Sequence, residues 1–73
     1  MIYFYAKMSS SEQLQNFILT FIRIYNTTLE EAKRDNGLIN LITCNYIIKY
    51  PDYVTSRNDL LKRVTNELLQ MNN

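Results

Sequence analysis

The sequence predicts a mainly α-helical fold: a small three-helix bundle with an N-terminal arm or short strand. Three observations predict it. Apolar residues between Ser10 and Tyr25 recur with the period of an amphipathic helix. Ser or Thr followed three residues later by Glu or Asp, a pattern that caps helix starts, precedes each predicted helix. The chain has only one Gly and one Pro to interrupt them. Its 73 residues make a single domain, 1–73, in which residues 1–8 are the arm.

The arm is rich in apolar and aromatic residues, and reads Met-Ile-Tyr-Phe-Tyr-Ala-Lys-Met. Its alternation is compatible with an edge strand, but a strand needs a second strand to satisfy its backbone groups. We therefore expect either a strand with a partner elsewhere in the chain or an arm packed on the body.

The first helix is predicted over residues 10–25. Ser9 and Glu12 have the spacing of a capping box. One helical stripe collects the apolar residues, and only Leu19 departs from it. The stripe contains Leu14, Phe17, Ile18, Phe21, Ile22 and Tyr25, with Ile24 at its margin. We expect this helix to supply the main apolar face of the bundle.

The second helix is predicted over residues 28–49, opened by Thr27 with Glu30 or by Thr28 with Glu31. Gly37 either ends a first helix in a left-handed cap or lies inside one longer helix. A break at Gly37 would make a four-helix bundle.

Residues 38–50 allow two interpretations. Their period-two alternation and β-branched residues are compatible with a strand. In that alternative, residues 43–50 would pair with residues 2–7 in an α+β fold. Their length without Gly or Pro favours a helix instead, and apolar residues all around its axis predict a central, buried one. We take the helix as the prediction and the two-stranded sheet as the alternative.

The last helix is predicted over residues 56–71, after Pro51 ends the preceding element and Ser56 caps the next. It is expected to pack across the first helix. Asp59, Arg63 and Glu67 stand four residues apart and predict a solvated charge ladder on its flank. Its predicted core stripe is Leu60, Leu61, Val64, Leu68 and Met71.

The residue types argue against catalysis. The chain has no His, the usual base of nucleophilic and acid–base catalysis, and Cys44 is its only cysteine. One Gly cannot build a phosphate-binding loop, and the ligand set for zinc is absent. The carboxylates Glu12, Glu30, Glu31 and Asp59 fall in predicted first turns, where they cap helices. We predict no enzyme activity, no cofactor and no metal.

The charge balance argues against nucleic acid as the main partner. Eight basic and seven acidic side chains are spread along the chain, for a net charge of +1. A small dimeric DNA-binding regulator, of helix-turn-helix or ribbon-helix-helix type, is nevertheless kept as the alternative function. In that alternative, Arg57, Lys62 and Arg63 would touch phosphates.

The sequence also predicts a cytoplasmic protein. No apolar run is long enough for a membrane span, and no signal peptide is recognisable. The single Cys suits a reducing compartment such as the cytoplasm.

The remaining function is protein binding. Six Tyr and three Phe are more aromatic rings than three short helices need for a core, and Tyr is favoured at interfaces. We predict a non-catalytic inhibitor or regulator that binds a host or other protein. Eight Ile and nine Asn suggest an A/T-rich virus, phage or mobile element as its source. A homodimer is a further possibility. The predicted anchors are Tyr3, Tyr5, Tyr50 and Tyr53, with Lys49 and Arg57 as rim charges.

Overall fold

A computed structural model describes residues 9–72, and these fold into four α-helices without a strand. The helices are α1 (Ser10–Ile24), α2 (Leu29–Arg34), α3 (Asn36–Lys49) and α4 (Arg57–Gln70). A short 3₁₀ turn, Pro51–Tyr53, links α3 to α4. The predicted helical bundle is confirmed, in its four-helix form. The predicted arm or strand at residues 1–8 lies outside the described residues.

The ends of α1 are fixed by local hydrogen bonds. At its start, Ser9 Oγ accepts from the Glu12 amide at 3.1 Å, and the Ser9 amide donates to Glu12 Oε1 at 3.0 Å. The capping box is therefore confirmed. At its end, Asn26 adopts a left-handed φ of 53°. The Thr27 amide then reaches the Ile22 carbonyl at 3.0 Å, and the Asn26 amide reaches Arg23 at 3.3 Å. This is the Schellman arrangement, which satisfies carbonyls that the helix leaves open.

The predicted second helix is two helices, and the break lies at Asp35. Asp35 has extended backbone angles, and its carboxylate accepts from the amides of Gly37 at 2.8 Å and Leu38 at 3.3 Å. Gly37 thus belongs to the first turn of α3, and its φ is not positive. The predicted left-handed cap at Gly37 is wrong. The residue between the two helices is Asp35, and its carboxylate caps the start of α3. Of the two alternatives for the start of α2, the structure has Thr28, whose hydroxyl accepts from the Glu31 amide.

The helix predicted for residues 38–50 is confirmed, because residues 43–49 belong to α3, and the alternative strand at residues 43–50 is not formed. This helix is central, in contact with α1, α2 and α4. Its only fully buried polar side chain, Thr43, donates to the Ile39 carbonyl at 2.8 Å, so burial leaves it satisfied. The buried apolar core, shared by all four helices, consists of Leu14, Ile18, Phe21, Leu29, Ala32, Ile39, Ile42, Tyr46, Leu60, Val64, Leu68 and Met71.

The predicted solvated charge ladder on the flank of α4 holds only for Asp59, which is exposed, whereas Arg63 and Glu67 are half-buried in a polar seam against α1. The half-buried Glu67 carboxylate accepts from Ser11 Oγ at 2.8 Å and from Gln15 Nε2 at 2.6 Å. Arg63 Nη2 donates a long hydrogen bond of 3.5 Å to the Ser10 carbonyl. The packing of α1 against α4 explains the difference, since it brings polar side chains of α1 within reach of Glu67.

Candidate interaction surface

A groove of about 390 Å³ runs between α1 and the second half of α3. We call it the α1–α3 groove. The groove forms because α1 packs on α4 as well as on α3. Part of the wide apolar stripe of α1 therefore faces away from the core. Its lining consists of Gln13, Asn16, Phe17, Thr20, Phe21, Ile24, Tyr25, Asn45, Lys49 and Tyr50.

The apolar stripe of α1 divides between the core and the groove. Leu14 and Ile18 are fully buried, whereas Ile24 is 72% exposed and Tyr25 is 49% exposed. Ile24 and Tyr25 lie in the last turn and at the C-cap, at the end of the groove. An exposed Ile beside an exposed Tyr is apolar surface that a partner could remove from water.

The floor of the groove consists of the Phe17 and Tyr50 rings, and the buried Tyr46, which is not in the lining, packs against both. The Phe17 ring stands edge-on to Tyr46, with centroids 5.1 Å apart, and edge-on to Tyr50 at 6.2 Å. Tyr46 and Tyr50 are 5.0 Å apart. Tyr46 is buried, and its hydroxyl accepts a hydrogen bond from Gln13 Nε2 at 2.9 Å. The floor is therefore held in place by ring contacts and by a bond between α1 and α3.

The lining is almost uncharged. Among the described residues that line the groove, Lys49 alone carries a formal charge. Its Nζ lies 5.5 Å from the centroid of the Tyr50 ring, within the range of a cation–π contact. At the far end Tyr25 stacks on Phe21, with centroids 4.1 Å apart. The groove therefore presents aromatic faces, amide groups and one cation.

The residues predicted as anchors are only partly brought together. Lys49 and Tyr50 line the groove. Tyr53 is 64% exposed and touches Tyr50 edge-on at 5.9 Å, but does not line the groove. Arg57 is exposed as the first residue of α4 and is also outside the lining. Tyr3 and Tyr5 lie outside the described residues.

Sequence reasoning missed the α1 wall of the groove. Phe17, Ile24 and Tyr25 belong to the apolar stripe that is predicted to face the core, but they line the groove. Phe21, in the same stripe, is buried as predicted and also borders the groove. The signal that could have separated them is the width of the stripe. Seven apolar residues in 16 positions form a broader face than one short neighbouring helix covers.

Two of the carboxylates considered for catalysis have structural partners in this fold. Glu12 accepts from the Ser9 amide, and Glu31 accepts from the Thr27 hydroxyl at 2.9 Å. Cys44 is a half-buried free thiol on α3. Within residues 9–72 no three potential ligands of the His, Cys, Asp or Glu type cluster as a metal site would require. The absence of enzyme activity stays a prediction.

The segment after Gly37, which would be the recognition helix of a helix-turn-helix, is not placed as such a helix requires. Ile39 and Ile42, in the segment after Gly37, belong to the core. A single residue, Asp35, separates α2 from α3, whereas a helix-turn-helix has a turn of three or four residues. The ribbon-helix-helix alternative needs a strand in residues 2–7, outside the described part of the chain. The DNA-binding alternative also stays a prediction.

No helix in the described part of the chain has the length and apolar character needed to cross a membrane. Comparison of the chain with known protein families, curated proteins and solved structures finds no match.

Proposed function

We propose that this chain is a non-catalytic protein that binds another protein through the α1–α3 groove. The observation that carries the proposal is an open groove with an aromatic floor, an almost uncharged lining and the exposed Ile24 at its rim. Its specific form is an inhibitor or regulator from a virus, phage or mobile element, acting by covering a surface of its target.

The size and chemistry of the groove support this proposal. Ligand sites commonly have volumes of about 300–1,000 Å³ and combine an apolar lining with a few polar groups. The groove, at about 390 Å³, has room for one or two apolar side chains of a partner. Gln13 and Asn45 supply amides at its walls. Such groups orient a partner, while burial of aromatic surface supplies most of the affinity.

The fixed floor makes binding less costly. Interface side chains that become ordered only on binding lose about 0.5–1.5 kcal/mol each. Phe17, Tyr46 and Tyr50 already hold one another through ring contacts, and Gln13 fixes Tyr46. Lys49 beside Tyr50, and Arg57 at the start of α4 outside the lining, would add rim charges, which act more on the rate of association and on specificity than on affinity.

Affinity capture from an extract of the native cells tests the proposal. The full chain is immobilised, and bound proteins are identified by mass spectrometry. The groove variants Ile24→Asp and Thr20→Arg place charges at exposed positions of the groove, so we expect them to lose the specific partner. Asn66→Arg, at an exposed position of α4 outside the groove, is the matched control and should retain it.

Equal recovery of the same partner by the groove variants and by the control would contradict binding at the groove. Circular dichroism of each variant confirms that the helices are intact. Two further measurements address the other proposals. Sedimentation equilibrium tests the homodimer, and electrophoretic titration of duplex DNA at two ionic strengths tests the DNA-binding alternative, which requires binding that weakens steeply with salt.

A further inference from the structure

We propose that the chain's own N-terminal segment, residues 1–8, occupies the α1–α3 groove when no partner is bound. The inference deepens the proposed function, on which its regulatory consequence rests: the segment would compete with the partner for the same surface. Three arguments carry it, namely the position of the segment in the chain, its length and its chemistry.

The segment is joined to the groove through the start of α1. Residue 8 precedes Ser9, the N-cap of α1, and Gln13 in the next turn is the first residue of the lining. A tether this short gives the segment an effective concentration in the millimolar range at the groove. A free partner or a second copy at micromolar concentration has no such advantage.

The segment is long enough to cover the groove. From Gln13 to Ile24 the α1 wall is about 17 Å long at 1.5 Å per residue. Eight extended residues span at most about 26–29 Å. A segment that reverses direction before Ser9 and runs back along α1 therefore reaches the far end of the groove with residues to spare.

The segment also matches the lining chemically. Residues 2–6 read Ile-Tyr-Phe-Tyr-Ala and carry no formal charge. The groove offers aromatic rings from Phe17, Phe21 and Tyr50, with Lys49 as its only formal charge among the described residues. Both surfaces are predominantly apolar and aromatic. Burial of one against the other therefore removes apolar surface from water, which is favourable.

The consequence is self-competition. If the groove is open in only a fraction of molecules, the apparent dissociation constant for a partner rises by the inverse of that fraction. A partner would then have to displace residues 1–8. A change that weakens the segment's contact with the groove, such as Phe4→Asp, would increase the apparent affinity for a partner.

Paramagnetic relaxation in the full-length chain tests the occupant directly. A nitroxide is attached at Ile2→Cys in a Cys44→Ser background, which leaves one thiol for labelling. Amide signals of groove residues Thr20, Phe21 and Asn45 should lose most of their intensity. Asn36 and Thr65, which line a separate depression, serve as internal controls and should be much less affected. Uniform weak broadening at both sets of amides would overturn the proposal.

A mixed sample separates the chain's own segment from a second copy. Isotope-labelled chains without nitroxide are combined with nitroxide-labelled chains without isotope. The proposal requires that the groove amides of the first population keep their intensity. Selective loss at the groove in this sample would overturn it, because the occupant would then be another molecule.

A second variant avoids any effect of the bulky label. Phe4→Asp, in a chain without nitroxide, should shift the amide resonances of Thr20, Phe21 and Asn45 while those of Asn36 and Thr65 stay in place. Unchanged groove resonances would overturn the proposal. The nitroxide and chemical-shift measurements need no partner, so their outcome is independent of the affinity capture. The segment can be absent from the groove while groove-dependent capture of a partner succeeds. Conversely, capture can fail while the segment is found in the groove.

Discussion

Tyr46 is the residue at which the core and the groove meet. It is 1% exposed, its ring contacts Phe17 and Tyr50 in the groove floor, and its hydroxyl accepts from Gln13. The apolar ring contributes to the core, while the hydroxyl bonds to α1. A substitution here therefore affects both the stability of the bundle and the placement of the groove floor.

Tyr46→Phe should lower the free energy of unfolding by about 1 kcal/mol, because it removes the acceptor of the Gln13 amide from a buried position. Tyr53→Phe is the matched control. Tyr53 is 64% exposed, so loss of its hydroxyl should change stability little. Urea titrations followed by circular dichroism compare the two. Equal midpoints would show that the Gln13 bond contributes nothing to stability.

Asn26 is the residue that ends α1, and its left-handed φ of 53° is costly for most side chains. Asn26→Ala should destabilise the protein by about 1 kcal/mol, because a Cβ without Asn's local hydrogen bonding disfavours this conformation. Asn26→Gly should be at least about as stable as the original chain, since Gly adopts it freely. Thermal melts of both variants measure their relative stability. An alanine variant as stable as the glycine variant would contradict the prediction.

At the scale of the element, α3 explains why its sequence was ambiguous. Period-two alternation and β-branched residues are typical of strands, but its apolar residues also surround a helical axis. Contacts with α1, α2 and α4 suit a helix that is apolar on several sides. Ile39, Ile42 and Tyr46 are buried, while Ile48 on the same helix is 77% exposed.

The break between α2 and α3 depends on one carboxylate. Asp35→Ala should cost about 0.5–2 kcal/mol, because the amides of Gly37 and Leu38 lose their acceptor. Asp35→Asn keeps a side-chain oxygen and should cost only a few tenths of a kcal/mol, since Asn caps about as well as Asp. Chemical denaturation of the pair measures this. Equal losses of unfolding free energy in the two variants would show that the effect comes from the charge of Asp35 and not from capping.

At the scale of the whole molecule, the fold has little stability to spare. A domain of this size typically has about 0.05–0.15 kcal/mol of stability per residue. Its core residues come from all four helices, so the loss of one large side chain weakens several contacts at once. The exposed apolar residues contribute little to this core.

Ile42→Ala and Ile48→Ala make the same change on the same helix at two different depths. Ile42 is fully buried, so its truncation should cost about 2–5 kcal/mol. Ile48 is 77% exposed, so its truncation should change stability by no more than about 0.5 kcal/mol. Urea denaturation gives both values. Similar losses at the two positions would contradict the burial described here, or would show that Ile48 is covered in an assembly.

The sequence by itself determined the local features of this protein. The start of α1 follows from Ser9 and Glu12, the start of α4 from Ser56, and the core stripe of α4 from residues spaced three and four apart. These signals are local, because a cap or a helical stripe depends on residues within a few turns. They therefore predicted the helical bundle and most of its core.

Only the tertiary structure decided which apolar surface remains open. Phe17 and Leu14 belong to the same stripe of α1, yet one lines the groove and the other is fully buried. Glu67, predicted as a solvated charge, is bonded to α1 instead. Both outcomes depend on which helix lies beside which, and on the angle at which they cross. Contacts between residues distant in the chain set that arrangement, and no local pattern encodes it.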